Sequence, residues 1–387
     1  MPLDAFLLQQ AFRERFGADP EWVVRAPGRV NLIGEHTDYN EGFVLPMAID
    51  RAIWIALRAR TDRTVRLYSL DFGQEVSFSL DSLQKGEGWV EYLKGVAHVL
   101  ERQGRAFQLR GWEGVLSGDV PRGAGLSSSA ALELAAARAF AAVSQIAWRP
   151  EEMARLAQQA ENEWVGVQCG IMDQMAVAAS QAGHALFLDC RTLEYQHISL
   201  PAGVVVVVLD TSTRRGLVAS AYNERRYQCE QAARFLGVKA LRDVTLEWLE
   251  KRLVDLNATV VKRARHVVSE NQRVLEAIAA MQSGDVQRLG ELFNESHASL
   301  RDDFEVTNDA LNLMVSCAQG HPACWGARMT GAGFGGCAVA LVRQDSTEAF
   351  AQAVRAAYRQ KSGLEASVYV CQASQGASIV FPAAAQA

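Results

Sequence analysis

Residues 26–42 read APGRVNLIGEHTDYNEG, a stretch that resists ordinary core-and-surface patterning. Val30, Leu32 and Ile33 have the apolar character of a strand, yet Arg29, Glu35, His36 and Asp38 crowd around them. Burying charge is costly unless it is paired. So dense a mixture beside apparent core therefore points to a site.

Two other stretches share that character. Residues 118–135, GDVPRGAGLSSSAALELA, place small residues ahead of a helix-forming run. Glycines let backbone N–H groups approach an anion, and the positive end of the following helix points the same way. Ser127, Ser128 and Ser129 can cap that helix, donate to phosphate or ligate a cation. The loop is not a Walker A motif, since no Gly-Lys-Ser/Thr follows, and its glycine spacing fits a dinucleotide fingerprint poorly. The third stretch, RMTGAGFGGCAVALV at 328–342, runs through a Gly/Ala turn into an apolar strand. Between them lies ENEWVGVQCGIMDQM, with Glu161 near one helix end and Asp173 near the start of the next. Asp173 reads as a first-turn acid or, beside Arg29 and a phosphate loop, as a base that activates a hydroxyl.

Composition bounds the rest. With 49 % hydrophobic and 21 % charged residues, the 387-residue chain has the profile of a folded globular protein. A net charge of −5 leaves no footprint for nucleic acid. The longest strongly apolar run, Val204 to Leu209, is far too short for a membrane span, and the N-terminus lacks signal-peptide character. Seven cysteines without C-x-x-C spacing suit free thiols in a reducing cytoplasm and offer no zinc pattern.

Strand patterns are predicted at 22–26, 30–34, 43–49, 51–59, 64–70 and about 109–117, with helices at 90–103, 130–144 and 151–164. Strands return at HALFLDC and GVVVVVLDTS, and 217–295 reads as amphipathic helices broken at 283–285. CAVALV and ASVYVC flank a helix at 346–360, and the tail PAAAQA reads as frayed. This order argues for α+β with two lobes, 1–200 and 201–387.

Taken together, the three stretches resemble the motifs of the GHMP small-molecule kinases. GRVNLIGEHTDYNEGFVLPMAID at 28–50 resembles the galactokinase signature of that family. VPRGAGLSSSAALELA is similar to its phosphate-binding motif and MTGAGFGGC to its C-terminal glycine loop. CGIMDQ, SAYNERR and SHASLRDDFEVT also match, so the resemblance covers nearly the whole chain.

The resemblance implies a two-lobed fold, a ribosomal-S5-like N-terminal lobe and a ferredoxin-like C-terminal lobe with extra helices. It implies ATP-dependent phosphorylation of galactose at its anomeric hydroxyl by a monomer, with no nucleic acid or membrane partner. ATP would lie on Gly123, Ala124, Gly125, Leu126, Ser127, Ser128 and Ser129. The similarity assigns Mg²⁺ to Ser129 and Glu161, catalysis to Asp173 and Arg29, and sugar contacts to Glu35, His36, Thr37, Asp38, Gly170, Asp173 and Tyr222. Two other readings stand beside this one: a sugar sensor of the same lineage that binds without turnover, and a kinase for another acceptor such as N-acetylgalactosamine or arabinose. The intact SSSAA and the presence of Asp173 argue against the sensor.

Overall fold

The computed structural model describes residues 3–104, 108–213, 218–251 and 257–382, with backbone alone at 218 and 219. The tail expected to fray lies outside them beyond Pro382. Seven strands in chain order build most of the first sheet. They are β1 (Trp22–Ile33), β2 (Phe43–Ala59), β3 (Thr64–Ser69), β4 (Gln74–Ser79), β5 (Trp112–Gly118), β6 (His184–Asp189) and β7 (Tyr195–Ser199). The second sheet is four-stranded and antiparallel, from β8 (Val204–Asp210), β9 (Cys324–Thr330), β10 (Cys337–Arg343) and β11 (Ser367–Cys371), in the order β11-β8-β10-β9. The last strand, β12 (Ser378–Phe381), returns to the first sheet and pairs β1. The change of sheet thus falls between Ser199 and Val204, while the chain end crosses back.

The predicted strands 22–26 and 30–34 are one continuous strand, as are 43–49 and 51–59. The pattern breaks because β1 and β2 shift register between Pro27 and Arg29 and again between Asn31 and Ile33. Such irregularities bend a strand and re-aim its side chains without ending it. Gly28 sits in the first irregularity, and a Cβ there would lie 2.8 Å from the carbonyl oxygen of Leu126. The strand is therefore able to run directly against the serine-glycine loop, and the N–H of Arg29 donates to Leu126 at 3.1 Å. Four strands escaped sequence reading: β4, β7, β9 and β12. β4 is mostly exposed and β12 is only four residues long, so neither carries a buried period-two pattern.

One face of the first sheet carries the helices Val90–Glu101, Ser128–Ser144, Pro150–Gln159 and Met172–Ala179. The alanine-rich Ser128–Ser144 is nearly all buried, as its composition implies. Phe140 on this helix meets fully buried Trp112 of β5 edge to face, with ring centroids 5.7 Å apart. A separate core joins the halves: Val30, Leu32, Leu45 and Met47 of the first sheet pack with Val206, Val208, Val339 and Leu341 of the second. The helices Ala258–Ser283 and Val286–Asp302 add Val274, Leu292 and Phe293 to it. They meet at Gly284 in the left-handed conformation and Asp285 as an N-cap, where sequence placed the break. No helix among the described residues is long and apolar enough to cross a membrane.

Because Phe140 is fully buried against Trp112, Phe140→Ala removes packing from the largest core. We expect a loss of about 3–5 kcal/mol, read as a lowered urea midpoint by circular dichroism. An unchanged midpoint would show that this helix–sheet contact does not limit stability.

Candidate active site

The three unusual stretches converge. Arg29 leaves β1 just past the register shift and reaches across to Asp173 in the first turn of Met172–Ala179. Its Nε and Nη2 donate to Oδ1 and Oδ2 at 2.7 Å each, a bidentate pair. Its Nη1 donates to the carbonyl of Gly125 at 2.6 Å, tying the same guanidinium to the glycine loop. Arg29 is almost fully buried, whereas Asp173 keeps partial exposure toward a cavity.

Sequence reading allowed Ser127 as a helix cap, and the structure corrects that. Ser127 does sit at the N-cap position, but with φ of 57° its side chain makes no cap bond. Its hydroxyl instead donates to Oδ2 of Asp173. A non-glycine residue held in the left-handed region at a functional position is the kind of strain that cores must over-determine. The helix itself begins at Ser128, so its free N–H groups face the loop.

The cavity has a volume of about 440 Å³, and Arg29, Glu35, His36, Asp38, Glu161, Gly170, Asp173 and Tyr222 all line it. Gly166, Val167, Gln168, Cys169, Met172, Asn223, Gly331 and Ala332 complete the wall, and none of these had been singled out as a contact. Thr37 is the expected sugar contact that the structure places elsewhere. It is fully buried, and its hydroxyl donates to the carbonyls of Gly34 and Phe43, closing the turn.

Each polar wall residue has a specific state. Glu35 accepts from Asn31, Arg328 and the N–H of Gly331. Burial pushes its carboxyl up, and the charges of Arg328 and Arg29 oppose that. His36 is kept neutral, pulled down to about 3 by burial and then by neighbouring His266. Its Nδ1 meets the hydroxyl of Tyr39 at 2.9 Å, while Nε2 is buried without a well-formed hydrogen bond. His36 also interacts with the backbone of Ala332 and lines the cavity, where an imidazole nitrogen can accept from or donate to a ligand hydroxyl. Asp38 is raised to about 6 by burial and then by the charge of Asp173. A Cβ at Gly170 would overlap the Asp38 carboxylate, so only glycine lets the two meet.

Glu161 lies in a π-helical turn, Ala160–Val165, that continues the helix Pro150–Gln159. Such bulges re-aim side chains and cluster at functional sites. Its carboxyl is pushed up by burial and by Asp173, and hydrogen bonds from Cys169, Ser129 and Gln174 oppose the shift. Ser129 also lines a second, smaller cavity of about 150 Å³ with Phe72, Trp89, Tyr92, Arg122 and Leu132. There Phe72 and Trp89 stack at 5.8 Å, with Arg122 over Phe72. The Ser129–Glu161 contact therefore marks the boundary between an apolar, aromatic cavity and a polar one. The third glycine stretch closes the site from the other side, with the backbones of Gly331 and Gly336 against Gly125 and Ala124.

Comparison with known proteins agrees with this geometry. Family models match at residues 10–59 (galactokinase galactose-binding signature), 91–181 (GHMP kinases N-terminal domain) and 277–360 (GHMP kinases C-terminal). A galactokinase of Roseiflexus sp. (strain RS-1) is 49 % identical over 380 residues, covering 97 % of each chain. The crystal structure of Lactococcus lactis galactokinase complexed with galactose superposes with a TM-score of 0.90 at 38 % identity, covering 96 % of this chain and 98 % of that one. Methanococcus jannaschii mevalonate kinase shares the fold, with a TM-score of 0.68 at 16 % identity over 92 % of this chain and 99 % of its own. The chain belongs to the GHMP kinase family, in its galactokinase branch.

Proposed function

We propose that the chain transfers the terminal phosphoryl group of ATP to the anomeric C1 hydroxyl of galactose, giving galactose 1-phosphate and ADP. The observation that carries this reading is the placement of Asp173. It faces the polar cavity while Arg29 and Ser127 tie it to the glycine loop. Phosphoryl transfer asks a protein chiefly for positioning and charge neutralisation. Here the acceptor is a neutral hydroxyl, and Asp173 takes its proton. Arg29 acts first as the clamp that orients that carboxylate, since three of its donors are already committed to Asp173 and Gly125.

The backbone of residues 123–129 and the N-terminus of Ser128–Ser144 hold the triphosphate, and the aromatic cavity beside Ser129 takes the adenine ring. The donor set suits Mg²⁺. Ser129 and Glu161 supply two adjacent hard oxygens, and the burial and repulsion that raise Glu161 are relieved by a cation. When bound, the ion neutralises phosphate charge; Ser129 and Glu161 fix its place.

Sugar selection falls to Glu35, His36, Asp38 and Tyr222. Ionised carboxylates make strong charge-assisted bonds to hydroxyls, and a misplaced hydroxyl leaves a buried acceptor unpaired. Incubating the protein with ATP, Mg²⁺ and a panel of hexoses while following ADP release tests the assignment. We expect galactose to give ADP and glucose to be turned over at least about a hundredfold less efficiently. No ADP with galactose contradicts the proposal.

The state of Asp38 adds a pH signature. A carboxyl raised to about 6 is ionised above that value and protonated below it, so one acceptor is lost as pH falls. We expect kcat/KM for galactose to drop about tenfold per pH unit below about 6, and Asp38→Asn to abolish that limb along with most sugar affinity. A profile flat down to pH 5 would exclude the role.

A further inference from the structure

The turn that presents Glu35 and His36 to the cavity is not held by its own hairpin alone. The consecutive N–H groups of Gly34 and Glu35 both donate to Oε1 of Glu270, at 3.0 and 3.2 Å, on the helix Ala258–Ser283. We propose that Glu270 is a positioning residue for sugar recognition: its carboxylate, brought from a distant helix, captures this pair of N–H groups and thereby fixes where Glu35 and His36 face the sugar.

Glu270 is fully buried and does not line the cavity. A buried carboxylate survives only when its lone pairs are met. Both oxygens of Glu270 have partners. Ser296 donates to Oε1 at 2.7 Å, and Arg273 donates to Oε2 at 2.7 Å. The charges of Arg273 and its other neighbours hold Glu270 well below the ordinary carboxylate range despite burial. Two successive N–H groups beside left-handed backbone, with φ of 95° at Gly34 and 62° at His36, form an anion-binding concavity. Glu270 is the anion seated in it.

The contact extends to the side chain that reads the sugar. Ser296 also accepts from Nε of Arg328 at 3.1 Å, and Nη2 of Arg328 pairs with Glu35 at 3.1 Å. The same guanidinium donates to the carbonyls of Asn31 and Leu32 at 3.2 and 2.9 Å. One turn before Glu270, His266 places Nε2 3.1 Å from the carbonyl of Glu35. The turn is thus gripped at its N–H groups, its carbonyls and its carboxylate by the C-terminal half. Glu270→Gln keeps the shape but removes the charge and turns an N–H₂ toward donors.

The inference rests on the reading that Glu35 and His36 contact sugar, and its test separates the two. Wild type, Glu270→Gln, Ser296→Ala and Glu35→Gln are assayed for KM of each substrate and for galactose affinity by calorimetry. Glu270→Gln should raise the galactose KM and Kd at least tenfold with the ATP KM within twofold of wild type. Ser296→Ala, a milder lesion that serves if Glu270→Gln fails to fold, should raise the galactose KM about threefold. A merely structural role would lower the active fraction and thermal stability without this split between substrates. If Glu35→Gln weakens galactose binding while Ser296→Ala and any folded Glu270→Gln leave it within twofold of wild type, the proposal is overturned. If Glu35→Gln itself changes nothing, the sugar-site reading fails and the proposal with it.

Discussion

One guanidinium determines how the site is assembled. Arg29 leaves a bent strand next to Gly28, where that strand runs against the glycine loop, and it grips Asp173 with two parallel bonds. Planar, bidentate pairing fixes orientation as well as distance, which a lysine in the same place could not do. Its remaining contact, to Gly125, ties Asp173 to the glycine loop. Displacing any one of strand, loop or helix would therefore misalign the other two.

The cost of this arrangement is a concentration of buried acids. Burial raises the carboxyls of Glu133, Glu161 and Asp38, the nearby charge of Asp173 adds to each shift, and Glu133 ends well above the ordinary carboxylate range. The helix N-terminus and Arg29 supply positive potential on one side. Around the turn at Gly34 the balance is different: Glu35 and Glu270 are matched by Arg328 and Arg273. The fold thus keeps one carboxylate pair compensated by its own cations.

Much of this was legible in the chain. The motif at 28–50, the serine loop and Asp173 announce themselves because unusual polar residues interrupt apolar patterning over a few residues. Ser127 was visible as a residue, but its turn toward Asp173 required φ of 57°, which a serine-rich sequence does not encode locally. Thr37 sat inside the sugar motif yet proved to be a turn-closing residue, since motif membership does not say which way a side chain points. Glu270 left no local signal at all. On an amphipathic helix, a glutamate reads as a solvated face, and only long-range packing places it under Gly34. β4 and β12 were missed because neither carries a buried period-two pattern, and the strands split were those bent by register shifts.

We propose that Asp173, clamped by Arg29, accepts the proton of the attacking sugar hydroxyl. Measuring kcat for Asp173→Asn under saturating ATP, Mg²⁺ and galactose tests it most directly. We expect a loss of about 10²–10⁴-fold, the typical worth of a positioned general base, with ATP affinity nearly unchanged. A variant that keeps more than about a tenth of wild-type turnover would contradict it.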